Sequence, residues 1–301
     1  MSAPAVSELR DRAKIASDRI PVSVIVMTKN EEANIRACLA PMARFAETFV
    51  VDSNSVDATV AIATAMGARV VRFTWDGLYP KKKQWCLENL PFGYDWVLYV
   101  DADEQLSSQL VDEIAELMRS GPRAVGYFLR FDNSFLGRRL RHGIENFKLV
   151  MFDRHRGRFL DYHDLNVATM WEVEGHYQPH VDGEIAVLRN RALHADFRGL
   201  YHYFERLNRY SDWEAVIRSK GHITAAGESQ LASRALLKRI FHHMPARSLA
   251  MFLYSYVYKW GFLDGRAGLA FAVARFFYYW QVGIKMRELR MKETTATGEM
   301  P

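Results

Sequence analysis

Asp101-Ala102-Asp103 follows the apolar run WVLYV (96–100). Two carboxylates at i and i+2, where a strand breaks into a loop, can turn toward one hard divalent cation, and such a cation would neutralise a diphosphate leaving group. Asp also supplies Asx-turns and helix N-caps, and a lone DxD is explained as well by that. Position favours the cation, because two other polar clusters also stand after apolar runs: Thr28-Lys29-Asn30-Glu31 and Asp52-Ser53-Asn54-Ser55-Val56-Asp57. Asp52 is suited to accept hydrogen bonds from a nucleotide base or ribose, whereas Asp57 is explained by capping the next helix. Asn30 and Glu31 suit a helix start, a base contact, or both.

Other residues could contribute. WDGLYPKKKQW (75–85) packs three lysines between tryptophans; beyond being a solvated charge run, one of Lys81, Lys82 or Lys83 could clamp a phosphate, and Lys83 is the one assigned. His194, in RALHADF, ends a strand and is a candidate to reach the metal. WEVEGHYQPHVDG (171–183) sets Glu172 and Glu174 on one face if extended, where a carboxylate could take a proton from an attacking hydroxyl or merely face solvent. HExxH, GxGxxG, Walker A and GxSxG are missing, which removes zincin, dinucleotide, P-loop and hydrolase-elbow readings.

These clusters need a scaffold that brings them together. VSVIVM (22–27), TFVVD (48–52), ARVVRF (68–73) and WVLYV (96–100) read as strands, and EEANIRACLAPMARF (31–45), SVDATVAIATAMG (55–67) and 107–118 as helices. Alternation with connections too long for hairpins implies a parallel sheet with right-handed crossovers, and ligands bind such sheets beyond the carboxyl ends of the strands. The three clusters should therefore converge on one crevice. After residue 120 the signal weakens through short strands, and a helical pattern returns from 200 to about 290. The expected division is an arm (1–20), a catalytic unit (21–200, with a nucleotide-binding half 21–120 and an acceptor half 121–200) and a helical, membrane-associating region (201–301).

Composition bounds the rest. The 301 residues are 49% hydrophobic and 25% charged, ordinary for a globular protein. Two cysteines without CxxC spacing argue against a disulfide framework, so a reducing cytosol is expected. The first twenty residues hold no apolar run, so no secretory signal is expected. The net charge of +5 is unevenly spread: residues 234–292 carry eleven bases against Asp264 and Glu288, or +9, leaving −4 elsewhere. This split argues against a nucleic-acid-binding surface. SLAMFLYSYVY (248–258) and AGLAFAVARFFYYWQVGIKM (267–286) mix aromatics with bases, and neither has the ~18 uninterrupted apolar residues of a spanning helix. The pattern fits helices lying on an anionic membrane through 234–292, with packing on the sheet as the other outcome.

The segments SVIVMTKNEEANIRACL, VVDSNSVDAT and YVDADEQL resemble the first strand and helix, the second strand end and the metal motif of family 2 inverting glycosyltransferases with a GT-A fold. KKKQW, FLGRRLRHG, MFDRHRGRF, the late Leu193-His194 and LNRYSDWEA are similar to the subgroup that glycosylates lipopolysaccharide core or other lipid-linked glycans. The resemblance implies an α/β fold with a mostly parallel, Rossmann-like central sheet, flanking helices and a C-terminal amphipathic region. It implies a nucleotide-sugar donor with a bias to UDP-hexose, Mg²⁺ or Mn²⁺, a lipid-linked acceptor, and a peripheral or monotopic place on the cytoplasmic face of the inner membrane. Donor contacts would come from Thr28, Asn30, Glu31, Asp52, Ser53, Lys83, Asp101, Ala102 and Arg154. Asp103 would be the direct metal ligand, with Asp101 and His194 beside it. The base is not fixed by the resemblance: Glu174 comes first, with Glu172 and His176 behind it. The alternatives are a DxD phosphohydrolase, which usually carries the motif on its first strand, and a non-catalytic membrane-associated nucleotide-binding adaptor.

Overall fold

The computed structural model describes residues 19–161, 178–194, 199–219 and 246–297, with isolated positions 165, 173, 241 and 244. Glu172, Glu174 and His176 lie outside the described residues.

The first half alternates as the apolar runs require. In chain order it comprises β1 (Ile20–Thr28), α1 (Ile35–Leu39), β2 (Phe45–Asp52), α2 (Thr59–Ala65), β3 (Arg69–Arg72), α3 (Lys82–Asn89), β4 (Trp96–Asp101), β5 (Glu104–Leu106) and α4 (Ser108–Ser120). β1, β2, β3 and β4 are mutually parallel, in the order β3-β2-β1-β4. Side chains alternate across a strand, so Val24, Val26, Val50, Leu98 and Val100 join one core under α1 and α4. Ile25, Met27, Phe49, Val51, Val97 and Tyr99 join a second core on the other face, against Cys86 of α3. Both faces are covered, which is why these strands read as continuous apolar runs.

Local chemistry sets the helix ends. The helix expected over 31–45 is shorter: Glu31 and Glu32 precede it in a turn, and Pro41 turns its end into a 3-10 helix, Ala40–Arg44. Gly67, at φ +80°, ends the turn after α2. The Ser107 hydroxyl caps α4 by accepting from the Leu110 N–H at 3.2 Å.

The second half extends the same sheet through β6 (Gly126–Phe135), β7 (Arg138–Arg139), β8 (Asn146–Asp153) and β11 (Ile185–His194), with a small β9–β10 ribbon (Gly157–Arg158, His180–Val181) beside it. The sheet order is β3-β2-β1-β4-β8-β6-β11-β5, with β7 on β6. β8 runs antiparallel to both β4 and β6, so β6 and its parallel neighbour β11 regain the direction of β1. The carboxyl ends of β1, β2, β4, β6 and β11 therefore share one edge of the sheet. This is the mostly parallel α/β arrangement that the resemblance implied.

Three longer elements close the described chain: α5 (Leu200–Ser219), α6 (Arg247–Leu253) and α7 (Gly265–Thr297), with a π-helical turn at Tyr254–Tyr258 and a 3-10 turn at Gly261–Asp264. One stripe of α7 is buried (Ala267, Phe271, Ala274, Tyr278, Val282); it packs with Phe135 and Leu140 at one end and with Leu207 and Ala215 of α5 further along. The opposite stripe (Leu269, Val273, Phe277, Trp280, Ile284, Met291) is exposed and apolar. Of the two outcomes foreseen for this segment, packing is what the inner stripe shows. No helix among the described residues is long and apolar enough to cross a membrane.

Candidate functional site

The strand ends converge at the shared edge. Thr28 registers against Asp52 on β2, and its neighbour Met27 against Asp101 on β4. Asp52 and Asp101 thus stand two strands apart, ~10 Å at ordinary sheet spacing, on either side of the end of β1.

The β1 and β2 loops are stitched together. Asn30 and Asn54 both sit at positive φ (55° and 57°), which Asn tolerates better than most residues. The Asn30 carboxamide oxygen accepts from the Val56 N–H at 2.9 Å, and the Asn30 N–H donates to Ser55 Oγ at 2.8 Å. The Glu31 N–H donates to Thr59 Oγ1 at 2.7 Å, and its carboxylate accepts from the Asn34 carboxamide at 2.7 Å. Asp57 accepts from the Thr59 N–H at 3.0 Å, at the start of α2.

Asp52 is only 2% exposed. It accepts from Thr28 Oγ1 at 2.9 Å, from the Ser55 N–H at 2.8 Å and from the Ser55 hydroxyl. A carboxylate offers about four acceptor directions, so one remains for a ligand. Beside it the buried Lys82 ammonium donates to the Thr28 carbonyl at 3.0 Å and to Ser53 Oγ at 2.6 Å. Of the three lysines, Lys82 therefore braces the Asp52 loop. Lys83, by its charge, lowers the Asp101 carboxyl and lies 5.7 Å from the Phe159 ring centre.

The DxD segment is not engaged in capping α4, since Ser107 does that. Asp101 pairs with Lys148 of β8, which also pairs with Glu104. The Asp101 N–H donates to Glu104 Oε2 at 3.0 Å. Asp103 Oδ2 stands 3.2 Å from His194 Nε2 and 3.2 Å from Arg206 Nη1 of α5. His194 arrives because β11 pairs with β5 in a register that places it opposite Glu104. Ala102 is buried between the two aspartates.

Charge is tightly balanced here. Burial alone would raise the Asp103 carboxyl, but His194 and Arg206 hold it well below the usual carboxylate range. Burial would lower His194, and Asp103 outweighs it, so the imidazole is raised. Burial likewise raises Asp101, and Lys148 and Lys83 overcome it. Glu104 is pushed up to about 7, because burial dominates and one Lys148 ammonium cannot serve two carboxylates equally. Lys148, facing both, is raised despite its burial.

Asp103 and His194, with Asp101 beside them, are the residues that could hold a divalent cation. Asp103 Oδ2 and His194 Nε2 meet directly at 3.2 Å. Among the described residues no group of three or more His, Cys, Asp or Glu could hold a metal.

Most of the anticipated residues are gathered: Thr28, Asn30, Glu31, Asp52, Ser53, Lys83, Asp101, Ala102, Asp103 and His194. Arg154 is not. It follows β8, which runs against β4, so it lies at the amino edge, where its Nε donates to the Tyr94 carbonyl at 3.2 Å and its guanidinium stands 3.6 Å from Asp95. Its assignment to the donor site is corrected accordingly. Sequence reasoning missed Lys148 and Arg206. A lysine inside the apolar strand NFKLVMFD was a signal; Arg206, in a helix rich in bases, had none.

Residues 23–171 match the family described as Glycosyl transferase family 2. An uncharacterized glycosyltransferase of Rickettsia bellii is 40% identical over 102 residues, 33% of each chain. The lipopolysaccharide core biosynthesis glycosyltransferase LpsC of Rhizobium meliloti is 32% identical over 114 residues, 36% of this chain and 41% of that one. The matches thus span only 33% and 41% of the length of these two curated relatives. Among solved structures, the mannosyltransferase PcManGT of Pyrobaculum calidifontis, in complex with GDP-Man and Mn²⁺, has a TM-score of 0.44 at 15% identity, covering 90% of this chain and 88% of that one.

Proposed function

We propose, from the match of residues 23–171 to the family described as Glycosyl transferase family 2, that the chain moves a sugar, with inversion, from a nucleotide-diphosphate sugar to a lipid-linked acceptor. The donor is of the UDP-hexose kind, and the acceptor is a lipid-linked glycan or lipopolysaccharide core at the cytoplasmic face of the inner membrane. One observation carries the reading: the Thr28–Asp52 and Asp101–Asp103–His194 groups lie along a single sheet edge, joined by the strand between them. The LpsC relative supports the acceptor class.

In this reading Asp52 orients the nucleoside through its remaining acceptor direction, and Lys82 keeps the loop around it fixed. Asp103 and His194 would hold the divalent cation, with Asp101 alongside, and a bound cation supplies charge neutralisation for the departing diphosphate. Arg206, already on Asp103, adds a fixed positive charge where negative charge develops. A base from Glu174, Glu172 or His176 takes the proton of the acceptor hydroxyl, which attacks opposite the leaving group and gives inversion.

The exposed apolar stripe of α7, with Arg266, Arg287 and Arg290 exposed on the same helix, supports attachment to an anionic lipid surface as an interfacial helix. The decisive experiment is a screen of UDP-, GDP- and CMP-sugars for Mn²⁺- or Mg²⁺-dependent donor hydrolysis, alongside melting curves with each nucleotide. The expected result is hydrolysis of at least one donor and a raised melting temperature with its nucleotide and metal. No hydrolysis and no shift with any nucleotide defeats the reading.

A further inference from the structure

A second set of polar residues surrounds a cavity of about 110 Å³ on the same side of the sheet. Its walls come from the end of β6, the 140–145 loop and the turn at Lys259, and include Asn133, Arg141, His142, Glu145, Arg191 and Lys259. The β6–β11 register puts Asn133 opposite His194, so the cavity lies one strand from the Asp103–His194 pair.

The walls are fixed by hydrogen bonds. The Asp264 carboxylate accepts from the Arg141 N–H at 3.1 Å and the His142 N–H at 2.8 Å. The Gly143 N–H donates to the Lys259 carbonyl at 2.8 Å, and Gly143 adopts φ +87° to make that approach. Asn133 is tied in three times, its carbonyl accepting from the Leu140 N–H at 2.8 Å, its side-chain amide donating to the Ile144 carbonyl at 2.9 Å and its side-chain oxygen accepting from the Asn146 carboxamide at 2.9 Å.

The charge count leaves a surplus. Asp132 accepts from Arg191 at 3.0 Å and also from Arg139, while Glu145 pairs with Arg191. The two acids of the cavity are thereby answered. Arg141 and Lys259 form no ion pair among the described residues; Lys259 makes only a 5.9 Å approach to the Tyr254 ring. Two unanswered cations at one cavity could receive an anion, and phosphate is an anion that Arg and Lys both hold well. Immediately around Lys259, Val257, Tyr258, Trp260 and Phe262 are exposed, an apolar border suited to a hydrocarbon chain.

We infer that this cavity is a subsite for the phosphate headgroup of an amphiphilic acceptor, its chain lying along the Val257–Phe262 surface. This rests on reading the chain as a transferase to lipid-linked acceptors and names the chemistry by which the acceptor is held. It gives the FLGRRLRHG segment a role that the donor site does not require.

The test is calorimetric titration of the full chain with dodecyl phosphate below its micelle concentration and with inorganic phosphate. Each is repeated with saturating UDP–Mn²⁺ and in the Arg141→Gln/Lys259→Gln variant. Dodecyl phosphate should bind the parent, bind the variant about tenfold more weakly or worse, and be indifferent to UDP–Mn²⁺. Inorganic phosphate should bind at least about tenfold more weakly than dodecyl phosphate, for want of the chain. Equal affinity in the variant, displacement by UDP–Mn²⁺, equal binding of inorganic phosphate, or no binding of either probe overturns the inference. An unchanged UDP–Mn²⁺ melting shift in the variant shows that fold and donor site are intact. Absence of that shift in the parent instead counts against the donor reading, independently of the phosphate result.

Discussion

Asp103 is the residue on which most contacts converge: the His194 imidazole and the Arg206 guanidinium meet one oxygen atom, and burial strengthens both contacts. In Asp103→Asn the shape is kept and the charge lost. Charge stabilisation of this kind contributes several kcal/mol to the transition state, so transfer should fall at least ~10²-fold even well below the variant's melting temperature, which loss of the counter-ion to Arg206 should itself lower. EDTA should do the same to the parent and be reversed by Mn²⁺; full activity in either case refutes the metal role. Lys148 offers a stability test. Lys148→Met leaves Asp101 and Glu104 without their shared counter-ion, which costs about 3 kcal/mol in denaturant titration, and adding Glu104→Gln should restore part of it. The aspartates were legible because each stands at the end of an apolar run. Lys148 and Arg206 were not, since their partners are 47 and 103 residues away in the chain and only strand order and helix docking bring them near.

Elements reveal themselves to the extent that they obey a period. β1 to β4 are covered on both faces and read as unbroken runs, whereas β5 has three residues and exists only because β11 pairs with it. The reversal of β8 leaves no trace in its composition, and that reversal is what removed Arg154 from the site. Two predictions concern α7. A Cβ on Gly268 would lie 2.0 Å from the Gly261 carbonyl oxygen, so Gly268→Ala should lower stability by about 1–3 kcal/mol, measured by urea unfolding. Tyr278 donates to Glu214 Oε2 of α5 at 2.5 Å, and burial, with the Glu214 charge, raises its phenol well above 10. A group raised on folding stabilises below its unfolded value and loses that contribution as pH climbs through the folded one. Stability should therefore decline from about pH 10 upward, and Tyr278→Phe should flatten that decline; an identical alkaline profile in the variant would exclude the contact as its source.

At the scale of the whole molecule, the uneven charge and the aromatic tail were visible in the sequence, and the two-sided character of α7 was not, because both of its faces are apolar. Only contact with α5 and the β6 hairpin distinguishes them. Replacing Leu269, Val273, Phe277 and Trp280 with Gln and Ser leaves the buried stripe intact. The expected outcome is loss of sedimentation with phosphatidylglycerol-containing vesicles and an unaltered circular-dichroism spectrum. Undiminished sedimentation would mean that another surface meets the lipid.

The Asp264 carboxylate that receives the Arg141 and His142 amides has a mechanical consequence. It bolts the start of the last helix to the rim of the sheet without an intervening hinge. Were the outer stripe of that helix sunk in a bilayer, the catalytic edge would ride at one constant height above it. A transferase of the kind proposed would then act as a gauge of stature: hydroxyls at one elevation on an anchored glycan would be reached, and those of longer or shorter chains passed over.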